Sequence, residues 1–298
     1  MIYAKKLILP GEGAEMNVIL EEKRTCFTTV YPFKIFPQKQ LREVELEGIT
    51  IFCGGNGSGK STLINVMAEK MNAVRYCQFN TAPFFDRFLR LCRVEYLNRP
   101  ARSYVLTSDD VFDYVLQARS VNERLDDRRS ELFEEYVRTH RQAMRDPGVG
   151  RLKGLDDYER WSRTRDILSP RKSQSSFIRE QVAREVDLRS NGETAMAYFL
   201  DRIDADGVYF LDEPENSLSV EYQQQLAEYI AAVARSARCQ FVIATHSPIL
   251  LAIPGARIYD LDADPATVCR WTELPNVRRY FDFFMEHRAQ FENGGPDT

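Results

Sequence analysis

Apolar positions along this chain follow two rhythms, and a long charged stretch that sustains neither lies between them. Short uninterrupted apolar runs, bounded by glycine, proline or charge, recur as "GITIFC" (48–53), "GVYFLD" (207–212), "QFVIATHS" (240–247) and "ARIYDLD" (256–262). Runs of that length without polar alternation predict parallel strands buried on both faces. Spacings of three and four predict helices in "STLINVMAEKM" (61–71), "FFDRFLRLCRVEYL" (84–97), "VEYQQQLAEYIAAVARS" (220–236) and "VRRYFDFFMEHRAQF" (277–291). In the first fifty residues "KKLILP", "MNVIL" and "TCFTTVYPF" read as strands, punctuated by Gly11, Gly13, Pro32 and Pro37. "AVRYCQFN" (73–80) and "RSYVLTSDD" (102–110) read as two more strands.

From about residue 111 to 186 Arg, Asp and Glu dominate and glycine is sparse. Residues 111–144 predict one or two exposed helices, "RDPGVGRLKG" (145–154) a break, and "SPRKSQSS" (169–176) a loop. Acids nearly offset the arginines here, which favours a solvated helical face over a nucleic-acid surface. The expected organisation is an α/β core built from 1–110 and 187–298, with 111–186 as a charged helical insertion. Its sheet should be mixed and mainly parallel, preceded by an N-terminal antiparallel β region, and the tail "ENGGPDT" should be disordered.

Composition narrows the class without changing this layout. The 298 residues are 44% apolar and 28% charged, as in an ordinary globular protein. A net charge of −4 gives no global basic field for nucleic acid or an anionic membrane, and leaves nucleic acid to local patches. Six cysteines without a C-x-x-C pair read as reduced core residues. No stretch has the apolar length of a membrane span, and the N-terminal apolar run is too short for a signal peptide. A cytoplasmic protein without a membrane partner is expected.

Candidate chemistry starts where the first buried strand ends. "GGNGSGKST", comprising Gly54, Gly55, Asn56, Gly57, Ser58, Gly59, Lys60, Ser61 and Thr62, fits G-x-x-x-x-G-K-[ST]. Glycines let backbone N–H groups close around phosphate oxygens, and the following helix points its positive end at them. Lys60 would reach the β- and γ-phosphates of ATP, and the Ser61 hydroxyl would ligate Mg²⁺. Asp212 ends a second buried strand, where open α/β sheets bind ligands, and is the other expected Mg²⁺ ligand. Glu213 follows it and is placed to orient or deprotonate a water. His246 ends a third strand and could donate a hydrogen bond to the γ-phosphate and that water. Ser190 precedes the helical "NGETAMAYFL", either as an N-cap or as a phosphate ligand at a helix N-terminus, with Gly192 beside it.

In this order, phosphate loop, charged insertion, S-x-G-E, strand-DEP and T-H-S, the chain resembles the ABC-type ATPase superfamily. It is more similar to the soluble branch shared with SMC and OLD-type ATPases than to transporter subunits. Small stand-alone bacterial ATPases with "THSPIL" followed by "PGARIYDLD" resemble it more closely still. The resemblance implies that 54–62 is the Walker A loop, 189–193 the signature, Asp212 and Glu213 the Walker B pair, 216–219 the D-loop and His246 the switch histidine. It further implies a homodimer sandwiching two ATP molecules, with Ser190 and Gly192 of one chain facing the γ-phosphate held by the other. The signature here is R-S-N-G-E rather than L-S-G-G-Q, and Ser219 stands where the D-loop usually ends in aspartate. Ser108 or Asp109, rather than Gln78, is expected at the Q-loop position. Tyr31, Phe33 and Phe36 are candidates for stacking on adenine. The expected activity is ATP hydrolysis coupled to closure. The alternatives are a low-turnover, ATP-gated module recruiting a separate effector protein in bacterial conflict, or an ABC transporter ATPase subunit.

Overall fold

A computed structural model describes residues 2–22, 29–79, 81–146, 158–169, 173–182 and 191–293. The chain divides into two compact units, Met1–Phe112 with Ser190–Thr298, and Asp113–Arg189.

The first unit opens with β1 (Ala4–Ile8), α1 (Glu12–Glu21), α2 (Ile35–Gln38), β2 (Glu43–Glu45), β3 (Ile49–Cys53) and α3 (Lys60–Lys70). It continues through α4 (Phe85–Leu91), β4 (Arg93–Tyr96) and β5 (Arg102–Thr107) into the start of α5 (Ser108–Arg145). After the second unit come α8 (Asn191–Arg202), β6 (Gly207–Asp212), α9 (Val220–Ser236), β7 (Gln240–Ala244) and α10 (Pro248–Leu251). The last elements are β8 (Arg257–Asp260), β9 (Thr267–Cys269), α11 (Pro275–Glu286) and α12 (Arg288–Asn293). The larger sheet has order β5-β6-β7-β3-β8-β9, parallel except for β9. The smaller one, β2-β1-β4, is antiparallel. The α/β class, the mainly parallel sheet and the antiparallel N-terminal region are those expected from the sequence.

The apolar runs behave as their composition requires. Every residue of β3 and β7 is buried, as is every residue of β6 before Asp212. Helix α3 packs Leu63, Ile64, Val66 and Met67 into the core between the sheets. Buried Gln240 ties the two sheets together. Its Oε1 accepts the N–H groups of Tyr3 and Ala4 at 2.9 and 3.0 Å, and its Nε2 donates to the carbonyls of Ala4 and Glu47 at 2.8 and 3.0 Å. All four amide valences are used. Gln240→Leu would leave two N–H and two C=O groups unmet, each costing about 1–3 kcal/mol. The expected result is a loss of more than about 3 kcal/mol, read as a lowered urea midpoint at unchanged slope. A midpoint equal to wild type would refute this role.

Four expectations need correction. "MNVIL" is not a strand but part of α1. Its buried residue is Glu15, whose Oε2 accepts the Lys34 N–H at 2.6 Å, so a carboxylate holds a position that apolar periodicity would count as exposed. Described residues of "TCFTTVYPF" form a turn around a cis Tyr31–Pro32 bond, and its other residues, including Cys26, lie outside the described ones. The described residues of "AVRYCQFN" supply only a bridge from Val74 to Tyr104. "RVEY", read within a helix, is β4. Its amphipathic alternation was too short to stand out from the preceding helix. Among the described cysteines, Cys53, Cys92 and Cys239 are buried.

The second unit contains most of α5, a single 38-residue helix, with α6 (Tyr158–Ile167) and α7 (Gln174–Gln181). Leu132, Ile167 and Phe177 form its small core, and Arg163 makes a two-bond pair with Glu135. Those bonds hold the Glu135 carboxyl below its usual range. Part of the "SPRKSQSS" loop is instead helical, because Ser173 Oγ accepts the Ser176 N–H and starts α7. The expected break at 145–154 lies mostly outside the described residues, as does the end of the tail.

Candidate functional site

Strand register brings the candidate residues together. Phe52 on β3 and Asp212 on β6 both pair with Ala244 on β7, so three strands end level at one edge of the sheet. The phosphate loop leaves β3 there, Glu213 leaves β6, and Thr245 and His246 leave β7 between them.

The loop is a cradle shaped by its glycines. Gly54 has φ +155°, and a Cβ there would sit 2.7 Å from Ser58 Oγ. Gly59 (φ +101°) caps α3, whose first-turn N–H groups have no partner inside the helix and face the loop. Buried Lys60 folds across this cradle, Nζ donating to the Gly54 and Gly55 carbonyls at 2.9 and 3.2 Å. Asn56 and Gly57 are exposed at its tip, and Ser58 and Thr62 are buried. Backbone donors and Lys60 suit such a cradle to a nucleotide phosphate.

Ser61 Oγ donates to Asp212 Oδ1 at 3.1 Å. Burial pushes the Asp212 carboxyl up to about 6, with Glu213 and Glu215 adding to it while the Ser61 bond and Lys60 oppose it. A carboxylate so short of solvation, beside a hydroxyl, is a hard-oxygen pair suited to Mg²⁺, which takes one or two protein ligands and completes its shell with phosphate and water. Among the described residues no group of three or more His, Cys, Asp or Glu could hold a metal by itself.

Glu213 is the meeting point. Its Oε1 lies 3.8 Å from Lys60 Nζ and 3.3 Å from His246 Nε2, and its Oε2 accepts from Asn216 Nδ2 at 3.1 Å. The backbone is left-handed here (φ 48°, ψ 50°), a conformation that costs a non-glycine residue about 1–3 kcal/mol. Its N–H is held by the Ala244 carbonyl at 2.9 Å, and Glu215 Oε1 takes the His246 N–H at 2.6 Å. The strained turn thus aims Glu213 at Lys60 and His246.

Ser61, Asp212, Glu213 and Asn216 face a cleft of about 530 Å³ that Tyr31, Arg75 and Ser108 also line. Phe33 and Phe36 are core residues, which leaves Tyr31, bonded to Thr62 Oγ1 at 2.8 Å, as the stacking candidate in the cleft. Gln78 lines the same cleft as Ser108 and Asp109. Ser190 lies outside the described residues. Gly192 does not line this cleft: it packs on α9, where a Cβ would come 2.8 Å from Tyr222 Cδ2.

Sequence reasoning missed Arg75, Asn65 and Asp262. Arg75 lines the cleft, donates to Asn65 Oδ1 at 2.7 Å, and lies 4.3 Å over the Phe79 ring. Burial lowers its pKa from the usual arginine value. Asp262 Oδ2 accepts the Gly55 N–H at 2.6 Å, holding the loop from two residues past the end of β8. A lone arginine carries no motif, and only "YDLD" ending a core strand could have flagged Asp262.

Residues 105–252 match a family model described as "AAA domain, putative AbiEii toxin, Type IV TA system". That span includes Asp212, Glu213 and His246 and begins after the phosphate loop. Among solved structures, similarity is found to an Smc head domain from Pyrococcus furiosus, with an extended coiled coil and bound to the C-terminal domain of ScpA. It has 13% identity and a TM-score of 0.39, covering 97% of this chain and 100% of that one. An SMC head domain from Thermotoga maritima gives 17% identity and a TM-score of 0.40, over 90% and 99%. A SmcHead bound to the C-winged helix domain of ScpA gives 14% and 0.39, over 90% and 97%. No curated protein sequence matches the chain. No helix among the described residues is long and apolar enough to cross a membrane.

Proposed function

We propose that this chain, whose residues 105–252 match an AAA-domain model, is a P-loop ATPase that hydrolyses ATP to ADP and phosphate and couples Mg²⁺-ATP binding to closure of a homodimer. The observation carrying this reading is the convergence of Lys60, Glu213 and His246, from three strand ends, within 3.8 Å of one carboxylate oxygen. In the proposed reaction the loop N–H groups and Lys60 hold the β- and γ-phosphates. Ser61 and Asp212 would hold Mg²⁺, which neutralises phosphate charge when bound. Glu213 orients a water against the γ-phosphorus and takes its proton. His246 donates to a γ-phosphate oxygen, Asn216 fixes the free Glu213 oxygen, and the proton leaves to solvent after phosphate departs. Closure would add donors from a second chain.

A second reading, an ATP-gated module that turns over slowly and recruits a separate effector, is favoured by the toxin–antitoxin wording of the family description. Turnover of the isolated protein separates the two. The nucleotide site itself is tested by melting. Mg²⁺-ATP at about a hundred times its Kd should stabilise the wild type by ~2.7 kcal/mol, which is several degrees. Lys60→Ala should lose most of that shift. Identical melting of both proteins with and without Mg²⁺-ATP would refute the assignment.

A further inference from the structure

Helix α11 leaves the core almost at once. Leu274 and Val277 are buried, yet beyond them every residue of α11 is exposed. Tyr280, Phe281, Phe283, Phe284 and Met285 stand about half in solvent, and Phe291 of α12 is 71% exposed. These residues are not scattered. Val277, Tyr280, Phe281 and Phe284 stand at i, i+3, i+4 and i+7, one helical face. The Phe284 and Phe291 rings lie 6.0 Å apart, so α12 continues that stripe. Asp282 and Glu286, spaced by four, hold the opposite face, and the Arg278 guanidinium borders the stripe, 5.8 Å from the Phe281 ring centroid.

The size of this patch is at the upper end of what a monomer leaves uncovered. Side chains of this kind bury 150–250 Å² each, so six of them half exposed present roughly 600 Å². A typical monomer's largest apolar patch reaches about that limit. Two such patches pressed together would bury roughly 1,200 Å², the lower bound of a stable protein interface.

We propose that this stripe pairs with the same stripe of a second copy of the chain, forming a two-fold contact that needs no nucleotide. Charge selects this occupant. Between residues 278 and 292 three arginines (Arg278, Arg279, Arg288) balance three acids (Asp282, Glu286, Glu292). A helix that lies on an anionic membrane needs a basic polar face, and this one is neutral. A neutral face also sets no like-charge barrier against an identical helix. The stripe carries no carboxylate, its Arg288 is paired with Glu292 of its own helix, and it is not a groove, so an apolar stripe of equal length complements it. A second copy supplies one at equal concentration.

The test uses the full chain, free of nucleotide and in EDTA, by light scattering from about 1 to 100 μM. Wild type should approach the mass of a dimer. The exposed double variant Phe281→Glu/Phe284→Glu should weaken association at least tenfold and stay monomeric, with an unchanged far-UV spectrum. A wild type monomeric throughout, including one that binds vesicles or another protein instead, overturns the proposal. So does a double variant that dimerises like wild type. Neither residue touches the nucleotide cleft, so failure of the ATPase reading would leave this result standing, and the reverse holds.

Discussion

Glu213→Gln is expected to bind Mg²⁺-ATP as the wild type does and to hydrolyse it about 10²–10⁴-fold more slowly, the range that a positioned general base contributes. The amide keeps the shape and can still accept from Asn216, whose Nδ2 lies 3.1 Å from the Glu213 carboxylate. What it cannot do is take a proton from water. It also removes the negative charge beside Lys60 and His246, so binding should hold or tighten while turnover falls. Asp212→Asn should behave differently. Asp212 faces Ser61 rather than Lys60 or His246, and its loss should weaken binding only when Mg²⁺ is present. ADP release by single turnover, alongside a nucleotide titration for each variant, separates the two effects. Near-normal hydrolysis by Glu213→Gln would remove it from the mechanism and turn attention to His246.

Glu213 also shows why this part of the site could be read before the fold was seen. Its strand is a run of buried residues that cannot tolerate a charge until the sheet ends, so two acids after "GVYFL" mark a strand terminus without any structure. The same logic located His246 after "QFVIAT" and the loop after "GITIFC". What the sequence could not convey is which termini become neighbours. The order β6-β7-β3 sets His246 between Glu213 and Lys60, and only pairing register says so. Arg75, Asn65 and Asp262 were invisible for a related reason. They approach the loop and cleft from segments whose local pattern says nothing about nucleotide.

The misread elements share one cause: polar residues placed where packing or capping, not periodicity, decides. Glu15 occupies the buried face of α1 because the Lys34 N–H meets it. Ser173 converts part of a polar stretch into α7, which then buries Phe177. Both effects depend on contacts that composition does not record. The aromatic stripe of α11 is the opposite case, a clear helical pattern whose complement the chain's described residues do not contain.

ATP-driven dimerisation through Ser190 is the sharpest expectation of the proposed closure. One chain's loop can satisfy only part of a γ-phosphate, and the remaining oxygens need donors. A helix N-terminus from a partner supplies them at a modest cost in surface ordering. Helix α8 begins at Asn191, and Gly192 lies against Tyr222 of α9. Helix α9 follows the 214–217 turn that carries Asn216 beside Glu213, so the α8 end is packed close to the turn that follows the proposed base. With hydrolysis blocked by Glu213→Gln, saturating Mg²⁺-ATP should shift the protein to a larger assembly in sedimentation, beyond any α11 pairing seen without nucleotide. Adding Ser190→Arg should abolish that shift and leave nucleotide binding within about twofold of its parent, since the contact is made in trans. Complementation gives the decisive readout. Ser190→Arg and Lys60→Ala should each be nearly inactive, but a mixed dimer holds one site with both lesions and one with neither. At random pairing half of the dimers are mixed and each keeps one of two sites, so about a quarter of wild-type turnover should return. No recovery at any mixing ratio, together with an ATP-independent size, would refute the shared site and leave Ser190 as the cap of its own helix.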